Sequence, residues 1–137
     1  MATRRPLVVV DGTLTELPAG DVIIGIPIPI SGARDGNATN TYLDGPGGVP
    51  MDITGIILPF DSTLLAISAS SKDPETWTAE IHVGLSLVTG AALSIVAART
   101  GTLTGLSIAF STGDELQYYV NGSNVNRPVI TGWFLLG

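Results

Sequence analysis

The chain has no cysteine, which excludes disulfides and thiolate metal sites and leaves the redox compartment unread. Histidine occurs once, at His82, so histidine catalysis has a single candidate. Charge is scarce: Asp, Glu, Lys and Arg make up 13% of the residues, against about 25% in ordinary soluble domains. Positive charge is scarcest, and the formal net charge is −6 with a pI near 4.4, so nucleic acid is not an expected partner. Long apolar runs are missing too. The longest, Val22 to Ile30, is broken by Gly25, Pro27 and Pro29 and is too short to cross a bilayer. The first apolar run is only Leu7 to Val10, so no secretory signal is expected, and no membrane partner.

A length of 137 residues suits one domain with an appended arm. Hydrophobic residues nevertheless reach 45%. A surface of Ser, Thr, Asn and Gly could cover them. Apolar surface buried between subunits would do so as well, and we favour that homo-oligomeric arrangement.

The opening stretch organises the rest. Arg4, Arg5 and Pro6 lead into Leu7, Val8, Val9 and Val10; Asp11-Gly12 follows, then Thr13 to Leu17. Two strand-forming runs around Asp-Gly predict a tight hairpin whose central residues both take positive φ. Such a hairpin is not stable alone in water and must lie on another surface. Beyond it, Ile24, Ile26, Ile28 and Ile30 alternate with glycine and prolines. Proline fixes φ and restricts its predecessor, so this path is extended, as a polyproline-like strip or an edge strand. A strand edge closing the chain's own core and an intersubunit contact are both open here.

Residues 31–48 are almost wholly turn formers and small polar residues, and predict a linker or loop. From residue 49 the chain reads as short strands separated by turns: Ile53 to Pro59, Thr63 to Ser70, Trp77 to Val83, Leu85 to Val88, Leu93 to Ala97, Leu103 to Phe110, Glu115 to Val120 and Val129 to Leu136. Trp77, Ala79, Ile81 and Val83 should face inward, and Thr78, Glu80 and His82 outward. The expected fold is all-β, an antiparallel β-sandwich or jelly roll of about eight strands carrying an extended N-terminal hairpin arm. The domain plan is 1–30 docking arm, 31–48 linker or loop, and 49–137 oligomerisation domain.

No enzyme is expected. A lone outward histidine beside Glu80 is a surface residue rather than a catalyst. Ser86 and Ser107 each follow Gly-Leu but lack the closing glycine of a nucleophile elbow. Asp73 with Glu75, and Asp114 with Glu115, fall in turns, and nothing pairs them for glycoside hydrolysis. Asp35, Asn37 and Asp44 could offer oxygens to a hard cation, but without EF-hand spacing. No cofactor and no metal are expected.

Two parts of the chain resemble bacteriophage virion proteins. The run RRPLVVVDGTLTELPAGD resembles a segment at the start of many tailed-phage virion proteins, where a basic-Pro-Leu-Val lead, an Asn/Asp-Gly turn and a Leu-Pro-Ala-Gly-Asp ending front different downstream domains. Ala66 to Ser71, Glu75 to Thr78, Gly113 to Leu116, Tyr119 to Gly122 and Arg127-Pro128 resemble the compact C-terminal jelly-roll domains of phage fibre and head-decoration proteins. The resemblance implies a capsid decoration (cement) protein on the outer surface of the virion, made in the bacterial host cytoplasm. Its partners would be the major capsid protein and its own copies, as a homotrimer. The resemblance covers residues 4–21, and the apolar strip to Ile30 extends it, so the expected capsid-binding arm comprises Arg4, Arg5, Pro6, Leu7, Val8, Val9 and Val10, with Leu14, Leu17, Ile24, Ile26, Ile28 and Ile30. The alternative is a short tail-fibre or head-fibre protein contacting the host surface. No coiled or collagen-like shaft separates arm from domain, which counts against a long fibre.

Overall fold

The computed structural model describes residues 7–16 and 25–137. Among them, Leu7–Val10 (β1) and Thr13–Glu16 (β2) form a two-stranded hairpin. Asp11 and Gly12 take φ of 48° and 77°, the doubly positive turn that the Asp-Gly pair predicts.

Most of the remainder is one curled antiparallel sheet of eight strands. Ile28–Ala33 (β3) lies on its edge, followed by the short pieces Asn37–Ala38 (β4), Thr41–Tyr42 (β5) and Ile56–Ile57 (β6). Ser62–Val83 (β7) and Ser86–Leu103 (β8) are the two long strands. Ile108–Phe110 (β9), Glu115–Asn121 (β10), Val125–Asn126 (β11) and Val129–Leu136 (β12) complete it, with β11 pairing β4 in a separate two-stranded ladder. The fold is therefore an all-β antiparallel sandwich, compatible with a jelly roll.

Strand β7 sets the curl by changing partners along its length. Residues Ser62 to Ser70 pair with β12, whereas Thr78 to Val83 pair with β10. Strand β8 follows β7 through both halves, but Ser70 sits opposite Thr100 and Glu75 opposite Ala98. Residues 71–74 thus bulge against Arg99 alone, and a bulge of that size bends the strand. The sequence reads as two strands, Thr63 to Ser70 and Trp77 to Val83, with a break between them; the structure joins them into one strand, bulged at residues 71–74.

The two half-sheets face each other across a single core. Leu64, Ile67, Phe110, Ile130 and Phe134 come from one half, and Trp77, Ile81, Leu93, Ile95, Leu116 and Val120 from the other, all nearly inaccessible. Trp77, Ala79 and Ile81 point inward as the alternation requires. Tyr118 of β10 joins the halves. Its hydroxyl donates to the Ile30 carbonyl and accepts from the Gly132 N–H at 3.2 Å, standing between two paired residues of β3 and β12. Glycine leaves the room: a Cβ at Gly132 would lie 2.6 Å from the Phe134 ring, and one at Gly32 2.9 Å from the Tyr118 ring.

Residues 31–48, expected as a linker or loop, carry β4 and β5 and pack into this core. Leu43 is fully buried, Ala38 nearly so, and the Leu43 N–H and carbonyl bond Tyr118 and Met51. Likewise β3, assigned to the arm as far as residue 30, is an edge strand of the chain's own sheet, paired to β12 from Ile28 to Ala33. Pro29 sits opposite Trp133. Lacking an N–H, it fits only a ladder position whose backbone groups turn away from the neighbour, and only at a sheet edge.

Candidate functional site

Among the described residues, the hairpin carries apolar side chains that stay largely exposed. Val9 pairs with Leu14 and Leu7 with Glu16, so the period of two sets Leu7, Val9 and Leu14 on one face of the ribbon. They are 64%, 71% and 66% exposed. Burying each fully would yield roughly 1.5–3 kcal/mol before ordering costs. Val8 and Val10 lie in the same ladder. The other expected arm residues Arg4, Arg5, Pro6, Leu17 and Ile24 lie outside the described residues.

Where the chain enters the sheet, the exposure continues. Ile26 is 86% exposed and Ile28 half so, while Ile30 packs against the core. Ile28 and Ile30 line an apolar cavity of about 200 Å³ with Leu58, Phe60, Phe134 and Leu136, and Phe60 and Leu136 are themselves largely exposed. The structure thus places Ile28 and Ile30 together at one end of the sandwich.

A titratable cluster lies on the outer face of β5, β10 and β7. His82 was expected on the surface, and its strand position is indeed outward, yet it is only 7% exposed and Glu80 only 8%. Tyr42, within the stretch expected as a linker or loop, closes over them from β5. The Tyr42 hydroxyl lies 3.0 Å from His82 Nδ1 and also donates to the Leu85 carbonyl. His82 Nε2 is 2.8 Å from Glu80 Oε1, and Asn121 donates to Glu80 Oε2 at 2.9 Å. The Tyr119 ring stacks on the imidazole, with centroids 4.9 Å apart. Burial pushes the Tyr42 hydroxyl pKa up, reinforced by Tyr119 and Glu80. Five side chains from three strands are thereby clasped. Five surface cavities formed by the described residues are all lined elsewhere, so the cluster has no substrate space beside it in those cavities. Forty positions separate Tyr42 from His82, and no local pattern in the sequence links them.

The scattered acids are tied up within the fold, Asp73 and Glu75 on β7 itself rather than in the expected turn. Asp114 accepts the Ser111 N–H, Glu75 the Asn126 N–H, and Asp73 the Asn126 side-chain amide. Asp61 accepts both the N–H and the hydroxyl of Thr112, which hold its carboxyl below the usual value. Asp35 pairs with Arg127 at 3.0 Å on the surface. Among the described residues no group of three His, Asp or Glu could hold a metal ion, and no helix is long and apolar enough to cross a membrane.

No protein-family model matches the chain, and no curated protein matches it in sequence.

Proposed function

We propose that this chain is a bacteriophage capsid decoration protein, which binds the outer shell through its N-terminal arm and stabilises the head. The observation that carries the proposal is the β1–β2 hairpin, a ribbon outside the main sheet whose Leu7, Val9 and Leu14 are exposed. The resemblance of residues 4 to 21 to phage virion segments points the same way. A two-stranded ribbon gains order by lying on another surface, and a capsid protein supplies one. Several copies joined through their sandwiches, as a homotrimer, turn weak single arms into avid binding. Contacts spread across capsomer junctions then oppose the internal pressure of packaged DNA.

The test is binding of purified protein to undecorated capsids. Leu7→Asp, Val9→Asp and Leu14→Asp together should leave the sandwich folded and abolish co-sedimentation. Removal of residues 1–24, which spares β3, should do the same. Undiminished binding by both variants would sink the proposal. The half-exposed indole of Trp133 favours a second reading, a head fibre or short tail fibre contacting the host. Locating the protein in virions by cryo-electron microscopy separates the two: many copies over the shell support decoration, and a few at the tail support a fibre.

A further inference from the structure

The outer face of the half-sheet formed by β3, β12, β7 and β8 is built almost wholly of uncharged side chains. Ser31 pairs with Thr131, Thr131 with Ser68, and Ser68 with Thr102. Paired residues point to the same side of a sheet, so these four hydroxyls form one row across four strands, about 14 Å long at the usual strand spacing. Ser70 and Thr100 continue the hydroxyls one step along the strands. One step the other way comes Trp133, between Pro29 and the small Ala66, half-exposed. Its indole N–H donates to Ser68 Oγ at 3.0 Å, and Ser31 and Thr131 are bonded at 2.8 Å. The ring is thus fixed in orientation, with its polar edge satisfied and its apolar face available.

Two adjoining cavities of about 290 and 370 Å³ share Ser68 and Thr102 and so form one groove. Hydroxyls line one end; Trp133, Pro27 and Ala66 line the other. None of the lining residues is ionisable. We propose that this groove binds a neutral saccharide chain, one sugar ring stacking its C–H face on Trp133 while neighbouring rings exchange hydrogen bonds with Ser68, Thr102 and Thr131.

The chemistry selects this occupant over others. Hydroxyls that both donate and accept match a polyol, and an amphipathic aromatic ring matches a sugar's apolar face. An acidic glycan would meet no cation in the lining and a chain of net charge −6. A peptide strand adds to a free ladder edge, whereas this groove runs over the middle of the sheet. The proposal does not depend on the capsid assignment.

The test uses the full chain titrated with cello-, chito- and malto-oligosaccharides, read by tryptophan fluorescence, together with co-sedimentation on cellulose, chitin and starch. Trp77 is buried, so the responsive emission should belong to Trp133 and vanish in Trp133→Phe. Thr102→Val with Thr131→Val keeps β-branched shape but removes two hydroxyls, and should weaken binding about tenfold or more. Ser94→Ala, on the opposite outer face, should leave it unchanged. Circular dichroism confirms that each variant is folded. Failure of every neutral glycan to bind, or equal binding by Thr102→Val/Thr131→Val, would overturn the proposal. So would full protection of Trp133 from acrylamide quenching in the free protein, because a subunit contact would then already cover the groove.

Discussion

One strand, β7, serves two outer faces of opposite character. Its first half contributes Ser68 and Ser70 to a neutral hydroxyl row, and its second half contributes Glu80 and His82 to a hydrogen-bonded clasp. The same alternation sends all four outward. What differs is the neighbour: β12 and the end of β8 bring Thr131 and Thr102, which leave the first pair half-open, while β10 and β5 bring Tyr119 and Tyr42, which roof the second pair. Period-two patterning decides which face a residue joins, and the partner strand decides whether that face is wet.

The comparison breaks most severely where the halves are joined. Tyr118→Ala should cost about 3–5 kcal/mol of stability, the range for deleting a buried aromatic ring. Tyr118→Phe should cost about 1–3 kcal/mol, because the Gly132 N–H and the Ile30 carbonyl lose their shared partner. Urea unfolding followed by both near- and far-ultraviolet circular dichroism checks this. Coincident transitions would show that the two faces belong to one cooperative unit.

A smaller effect separates the faces themselves. Glu80→Ala removes the partner of His82 Nε2 in a covered site and should cost about 1–3 kcal/mol. Ser68→Ala, at the matching outward position of the other half, should change stability by no more than about 0.5 kcal/mol. Equal losses in urea titrations of the two variants would erase the distinction between clasp and open row.

The smallest expected effect is in alkaline solution. Burial pushes the Tyr118 hydroxyl far above its ordinary 10.0, partly offset by the Gly132 N–H, and Tyr42 is raised as well. Raised groups keep their protons in the folded chain while the unfolded chain loses them. Their contribution is fully present below pH 10 and is lost as pH climbs beyond it. Thermal midpoints recorded above pH 10 should therefore fall, and Tyr118→Phe should flatten that fall more than Tyr42→Phe.

Features with a local cause could be read from the chain alone. Asp11-Gly12 carries its own turn chemistry, Val129 to Leu136 is a strand at the expected residues, and Trp77, Ala79 and Ile81 alternate inward. Features with a distant cause could not. Lys72-Asp73-Pro74 looks like the end of a strand, and only the pairing of β8 on both sides shows that the ladder continues. Leu43 is a single apolar residue amid Gly, Asp and Asn, so its burial depends on Tyr118, far along the chain. His82 is covered by Tyr42 for the same reason. Ile26, Ile28 and Ile30 share one apolar alternation, but Ile28 and Ile30 are secured by β12, which sequence spacing cannot convey.

The prolines of the edge strand carry one last consequence. Since Pro29 must turn its backbone nitrogen away from β12, the outward-facing positions at the start of β3 are those of Pro29 and Ser31, and the first has no hydrogen to give. The rim therefore presents an acceptor without a donor at Pro29. Copies of this protein crowded side by side zip poorly through that rim into an endless ribbon. A strand added along that rim would forgo the hydrogen bond that a donor at Pro29 would give, so the fold itself discourages growth there.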